Sequence, residues 1–379
     1  MAHSTVCLST ANTLSYPQGG HLWVFINWAL GLRACGFHVT WLDVVQQHAS
    51  IADIEHQYAA LRRALTAFGL QDSIAIDCIA DEDCSLRLKR ADLPTLEERD
   101  SFELLVDLRY DLPRRIVSRF HRSILVDVDP GQLQLAIVKG TYAIPSHDVL
   151  FSIGENVGRL KWAQTIGREW LHTPPCVYLD EWPVVGRAQD APWTTIAHWW
   201  GHWMMDEVGN GFPDGKRDAF LPYLGLPSRV RAPFELALNL GAAPEEKRMI
   251  EAHGFSVCDA HNVAVTPGDY RRYVQRSAGE FSCAKPSYVR LNTGWISDRT
   301  LCYLASGKPC VVQYTGPNQD LPSEMGGLRR FVNFDDAARC MEHVIDNYEA
   351  ESQAARALAE QVFDSTRIIS RMLSRADSP

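Results

Sequence analysis

Short, nearly unbroken apolar runs recur along the chain, separated by longer stretches of mixed character. Thr5–Ser9 (TVCLS) reads as a strand, Leu22–Leu32 is apolar over a helical length, and His38–Val44 (HVTWLDV) reads as a second strand. Gly36 sits where a helix C-cap glycine belongs, and Pro17-Gln18-Gly19-Gly20 supplies turn chemistry just ahead of the helix. The pattern predicts a strand–helix–strand unit with parallel strands. A right-handed crossover places the amino end of such a helix at the carboxyl edge of the sheet, where open α/β sheets hold ligands. Gly19, Gly20 and His21 fall at that edge. The glycine pair would let backbone come close to a ligand, and the helix dipole favours a neutral His21 imidazole, as a general base requires. The other reading of His21 is a capping or packing residue.

The second half repeats the design. Tyr288–Asn292 (YVRLN) reads as a strand, TGWIS as a turn, Asp298–Ser306 as a helix stopped by Gly307-Lys308-Pro309, and Cys310–Tyr314 as the next strand. Ser297 is a good N-cap, Asp298 suits the positive helix end, and Gly294, beside Trp295, permits close backbone approach. Glu280, Ser282, Lys285, Arg290 and Arg299 cluster around this second edge, with Thr315 and Gly316 leaving the far strand on the same side. Lys285, Arg290 and Arg299 could neutralise a diphosphate.

Between these units, DIEHQYAALRRALTAFGL and TLEERDSFELLVDL read as flanking helices and DEDCSLRLKRAD as a polar loop. Two strand-then-turn units follow. SILVDVDPG ends in Asp127 and Asp129, and DVLFSIGEN ends in Glu155 and Asn156. Their tips are expected to line a cleft, Asp129 and Glu155 assisting the base and Asp127 and Asn156 orienting an acceptor. A metal-binding reading of Asp127-x-Asp129 is set aside, because alternate strand residues face opposite sides. Residues 174–234, rich in Pro, Gly and Trp, suggest a passage between domains, with the boundary near residue 186: 1–185 and 186–379. FELALNLG reads as the first strand of the second domain, and GDYRRYVQRSAGEFS as a helix before the ligand edge. His198 and His202 have the spacing of metal ligands on a helix, but Gly201 interrupts it and no third ligand is marked. Trp199, Trp200 and Trp203 are expected to be core, with stacking on a ligand as the alternative.

Composition narrows the possibilities. The chain has 379 residues, 46% hydrophobic and 22% charged, enough for two globular domains. A net charge of -9 without a Lys/Arg block argues against nucleic acid as a partner. Ten cysteines without C-x-x-C pairs read as reduced, mostly buried thiols, which favours the cytoplasm. The first ten residues lack a basic signal region, and the Leu22–Leu32 run is broken by Asn27, so neither a signal peptide nor integral membrane association is expected. No G-x-G-x-x-G turn follows the first strand, which disfavours a dinucleotide-dependent dehydrogenase.

PQGGH…GFHVTWLD and SAGEFSCAKPSYVRLNTGWISDRTLCYLASGKPCVVQYTG together resemble GT-B-type glycosyltransferases over nearly the whole chain. The second segment resembles a bacterial subgroup carrying GEFS-x-AK…GW-x-SDR…YLA-x-G-x-P. The resemblance implies an α/β fold with two Rossmann-like domains facing a cleft and a terminal helix crossing back to the first domain. It also implies a nucleotide-sugar donor on the second domain and a small-molecule or glycan acceptor on the first. No metal or cofactor is expected beyond the nucleotide sugar as co-substrate. His21 then falls at the position of the base in inverting members. One departure is Cys302, which stands where many relatives place a glutamate on the nucleotide ribose. A sugar-nucleotide epimerase or hydrolase, and a non-catalytic nucleotide-sugar-binding protein, are the alternatives.

Overall fold

The computed structural model describes residues 5–46, 49–79, 82–99, 103–164, 167–319, 321 and 326–376. Most of its strands are short and buried on both faces, which is why their sequences are largely apolar instead of alternating. β1 (Thr5–Ser9), β2 (His38–Val45), β3 (Ile74–Cys78), β4 (Leu104–Asp107), β5 (Arg122–Asp127), β6 (Val149–Ser152) and β7 (Leu171–His172) form one parallel sheet in the order β3-β2-β1-β4-β5-β6-β7. After β8 (Trp193–His198), a hairpin of β9 (Trp203–Met205) and β10 (Gly211–Pro213) pairs only with itself. β8 then joins β11 (Phe234–Asn239), β12 (Phe255–Asp259), β13 (Gly279–Ser282), β14 (Cys310–Gln313) and β15 (Leu328–Phe331) in a second parallel sheet, ordered β12-β11-β8-β13-β14-β15. Each lobe is therefore doubly wound. Strand order reverses between β1 and β4 in the first and between β8 and β13 in the second, and such switch points open crevices at the carboxyl edge.

Several sequence readings change. Tyr288–Asn292 is not a strand: Pro286–Arg290 is a helix, because Pro286 at its first position presets helical φ and outweighs the β propensity of Tyr288 and Val289. The strand entering the second ligand edge is β13, within the stretch read as helical. The first strand of the second sheet is β8, so His198 ends a strand and no helix sets it beside His202. Glu82–Arg90 is a helix instead of a loop, and the stretch read as helical at 95–108 contains a short 3-10 turn and β4, residues 100–102 lying outside the described residues. Cys78 and Cys84 form a disulfide, so the reading of ten reduced thiols is corrected for that pair, and with it the inference from thiols to compartment. Among the described residues, no helix is long and apolar enough to cross a membrane.

The Gly19–Ala34 helix is apolar all round because it is buried all round. It packs on the terminal Ser365–Ala376 helix, where an added Cβ on Gly31 would lie 2.6 Å from Ile369. Arg375 also donates to the His172 carbonyl (2.8 Å). Asn27, the polar break in its apolar run, accepts from the backbone N–H of Tyr178 in the segment joining the lobes (3.0 Å).

The lobes are also tied directly. Asn156 Nδ2 donates to the Asn292 (2.8 Å) and Pro317 (2.9 Å) carbonyls, its own N–H bonds Thr293 O (3.1 Å), and the Gln319 N–H donates to the Glu155 carboxylate (2.9 Å). Asp129 accepts from Tyr288 of the second lobe (2.9 Å) and Tyr110 of the first (3.2 Å). Gly294, at φ +70°, and Gly316, at φ +127°, leave room for the Asn156 amide, since a Cβ on either would come within about 3 Å of it. Asn156→Ala leaves two carbonyls unpaired and is expected to destabilise the protein by about 2 kcal/mol, measured by urea unfolding.

Candidate active site

The carboxyl edges of the two sheets face one cleft of about 780 Å3. From the first lobe it is lined by Tyr16, Gln18, Gly20, His21 and Val24, and from the second by Lys216, Lys285, Trp295, Ser297, Asp298 and Arg299, among others. The expected convergence of residues 19–21 with 294–299 is thus present in the geometry.

The glycine pair has a different local reason from the one expected. A Cβ on Gly19 would lie 2.4 Å from the Thr266 carbonyl oxygen, and one on Gly20 would lie 2.9 Å from the Tyr270 ring. The Gly19 N–H is taken by Ala264 O (2.9 Å), and Trp23 Nε1 donates to Pro267 O (2.8 Å). The pair admits a helix of the second lobe, Pro267–Arg276, instead of a ligand. Gly19 is correspondingly buried, while Gly20 reaches the cleft edge.

His21 lies one residue further on. Its Nε2 is 2.6 Å from the Ala11 carbonyl oxygen, and its ring meets Phe25 edge-on with centroids 5.2 Å apart. A carbonyl can only accept, so Nε2 carries the proton and the neutral ring keeps its lone pair on Nδ1. Burial holds the His21 pKa below the ordinary histidine value, against the smaller opposing effects of Ala11 O and Asp43. The imidazole is therefore neutral at physiological pH.

Across the cleft, the Asp298–Ala305 helix begins with Ser297, whose side chain accepts from the Arg299 N–H. Arg299 is fixed from behind. Nε pairs with buried Glu280 (2.7 Å), Nη2 donates to Ser282 Oγ (2.7 Å), and Nη1 donates to Ile196 O (3.0 Å). Glu280 and Ser282 thus orient Arg299 from outside the cleft lining. Lys285 lines the cleft, and Trp295 stacks on Tyr288 (centroids 4.1 Å apart). Thr315 lies outside it, its hydroxyl donating to Trp295 O (2.6 Å) and securing the loop. Arg290 points elsewhere, its guanidinium 4.6 Å from the centre of the Phe212 ring.

Lys216 was missed in the sequence. It begins a short helix after Pro213-Asp214-Gly215, lines the cleft and donates to the Cys283 carbonyl. The only available signal was a turn followed by a basic helix start, which is common on protein surfaces. Burial, with Arg299 and Lys285 nearby, lowers the Lys216 pKa to about 7, and burial raises Asp298 to about 7. Cations converging on a helix N-terminus suit a ligand with two adjacent phosphates. Cys302 also lines the cleft, one turn into the helix, and its thiol contacts the Asp298 carbonyl (3.4 Å).

The remaining polar tips do not reach the cleft lining. Asp127 is fully buried and accepts from Gln134 and Ser152 (2.8 Å each); burial pushes its pKa up to about 6, against the lowering effect of those two hydrogen bonds. Asp129, Glu155, Asn156, Gly294 and Gly316 belong to the ties between lobes, so the acceptor and acid–base roles expected of Asp127, Asp129, Glu155 and Asn156 give way to structural ones. Among the described residues, no group of three or more His, Cys, Asp or Glu side chains could hold a metal ion. Of the three tryptophans, Trp199 is core, whereas Trp200 and Trp203 are exposed, against expectation.

No protein-family model and no curated protein matches the chain. Solved structures do. An alpha-glucosyltransferase in complex with UDP-glucose and DNA containing an abasic site is similar at a TM-score of 0.62 and 12% identity, covering 99% of each chain. HepE from Anabaena in complex with UDP matches at 0.54 and 11%, covering 98% of this chain and 100% of the other. Sucrose-phosphate synthase from Thermosynechococcus elongatus matches at 0.54 and 9%, covering 98% of each. The fold is therefore the α/β, two-lobed GT-B arrangement. The DNA in the first structure overturns the exclusion of nucleic acid drawn from net charge. Net charge sums over the whole surface, whereas an interface depends on one face of it.

The two shifted groups set a pH dependence. Lys216 is charged below about pH 7 and neutral above it; Asp298 is neutral below about pH 7 and anionic above it. Raising the pH therefore removes a positive charge and adds a negative one. A nucleoside diphosphate, measured by calorimetry, is expected to bind roughly tenfold more weakly at pH 8 than at pH 6, and Lys216→Met should weaken binding at pH 6 and flatten the profile.

Proposed function

We propose that the protein is a glycosyltransferase of the subgroup resembled by its GEFS…SDR segment, moving a sugar from a nucleoside diphosphate to an acceptor hydroxyl. The observation that carries this reading is that a neutral histidine on one lobe and a cationic helix N-terminus on the other face the same cleft. The fold similarity to proteins solved with UDP or UDP-glucose supports it.

In this mechanism the diphosphate lies over Ser297–Arg299, with Lys216 and Lys285 beside it. Charge builds on the leaving phosphate as the glycosidic bond breaks, so these groups stabilise the transition state more than the bound donor. Asp298, with its raised pKa, can donate a hydrogen bond to a sugar oxygen near neutral pH. His21 Nδ1 takes the acceptor proton, and attack from the side opposite the diphosphate gives inversion. The nucleotide sugar is a co-substrate, and the reaction calls on no metal or further cofactor. The acceptor class includes small molecules and glycans.

His21→Ala is expected to lower kcat by about 10²-fold with the UDP dissociation constant largely unchanged, measured by steady-state kinetics and calorimetry. Wild-type turnover in that variant would remove His21 from the chemistry.

A further inference from the structure

The cleft has a second chemical character that a diphosphate does not use. Its formally charged lining residues, Asp214, Lys216, Lys285, Asp298 and Arg299, all belong to the second lobe. The first lobe contributes uncharged residues, among them Tyr16, Gln18, Val24, Asn27 and neutral His21, and the segment at the end of β8 and after it adds His198, Trp200, His202 and Met204. Trp200 remains 50% exposed beside this centre. A large aromatic surface left open at the mouth of a ligand cleft marks a binding surface more often than a packing residue.

Trp200 is presented rigidly. Its indole N–H donates to the Leu240 carbonyl (3.0 Å), leaving the ring faces unused by that bond. Its chain neighbours fix it from both sides. Trp199 is fully buried and bonds Glu246 (2.9 Å), and a Cβ on Gly201 would lie 2.2 Å from the Asp214 carbonyl oxygen. Met204 stands on β9 opposite Phe212 of β10, whose side chain is buried and anchors the hairpin. Lys139 of the first lobe fastens the hairpin tip by donating to the carbonyls of Met205 (3.2 Å) and Asp206 (2.7 Å). On the first lobe, Tyr16 meets the His21 ring edge-on with centroids 6.3 Å apart.

We propose that the acceptor is an uncharged, planar hydroxyaromatic compound whose ring lies against Trp200 and Met204 and whose hydroxyl reaches His21. The proposal rests on the glycosyl-transfer reading above and names its acceptor class. Continuity of the Trp200 surface with the reaction cleft, and the absence of formal charge among the described first-lobe lining residues around His21, select this occupant over an anionic one. The chemistry agrees, since a phenolic hydroxyl, at a pKa of about 10, yields its proton to a weakly basic imidazole more readily than an alkyl alcohol does. The phenolic O–H proton passes to His21, the oxygen forms a bond to the anomeric carbon, and the bond from that carbon to the diphosphate breaks with its electron pair leaving on phosphate. The imidazolium then releases its proton to solvent.

The test first identifies the donor by thermal shift with UDP, dTDP and GDP sugars, then measures transfer to 2-naphthol and 7-hydroxyflavone, to methyl glucoside, and to a DNA oligomer carrying a hydroxymethylated base. Transfer to the planar phenols is expected to dominate. Trp200→Ala should raise their KM by about tenfold with nucleotide binding unchanged, Trp200→Phe should restore most of it, and Trp203→Ala, on the outward face of the hairpin, should behave as wild type. An unchanged KM in Trp200→Ala overturns the proposal. So does wild-type preference for methyl glucoside or DNA, or nucleotide binding without transfer to any planar phenol. Failure of every nucleotide sugar to bind overturns the transfer reading, and the acceptor proposal falls with it.

Discussion

The contact between Gly19–Gly20 and the Thr266–Tyr270 segment is the constraint on which the cleft depends. Two absent side chains let a helix of one lobe meet a helix of the other at backbone distance, and the Gly19 N–H and the Trp23 indole close the contact with hydrogen bonds. His21 is the next residue, so the separation of the lobes and the place of the imidazole are set by one packing event. A methyl group at Gly19 would overlap a carbonyl oxygen, which cannot yield as a flexible side chain can. The bonds of Asn156, Glu155 and Asp129 hold the opposite side of the same interface.

Electrostatics divide the cleft along the boundary that packing creates. The second lobe gathers its cations at a helix N-terminus and compensates Arg299 with Glu280 and Ser282. A guanidinium desolvated without such partners would be costly, so the ion pair behind it is what allows Arg299 to stand at the cleft wall. Lys216 donates to the Cys283 carbonyl, and the low dielectric lowers its pKa to about 7. The first lobe presents a neutral imidazole among aromatic rings. Bond breaking with an anionic leaving group and proton uptake by a weak base thus have separate, suited surroundings.

Much of this was legible in the chain because local signals act over a few residues. The β1–helix–β2 unit, the Ser297 cap and the turn at Gly294 follow from periodicity, capping and crossover handedness, whereas the facing of His21 and residues 294–299 across one cleft was implied by the resemblance to GT-B-type glycosyltransferases. The polar tips misled for one reason. Asp129, Glu155 and Asn156 leave the carboxyl edge of the sheet as ligand-binding residues do, but groups of the second lobe more than a hundred residues away, the Tyr288 hydroxyl and the backbone of Gln319 and Asn292, take their hydrogen bonds. Pro286–Arg290 shows the reverse error, where β-branched and aromatic composition concealed a helix begun by proline.

The amino-acid sequence by itself determined the doubly wound α/β class and the two edges at which chemistry could occur, since both depend on hydrophobic periodicity and on the fixed hand of parallel crossovers. Only the tertiary structure decided which polar groups remain free at those edges. It turned the glycine pair into an interlobe contact, Arg290 outward over Phe212, and Lys216, Trp200 and Met204 into the cleft. Availability for a ligand depends on what else a side chain meets in space, and that is set by segments too distant in the chain for any local pattern to register.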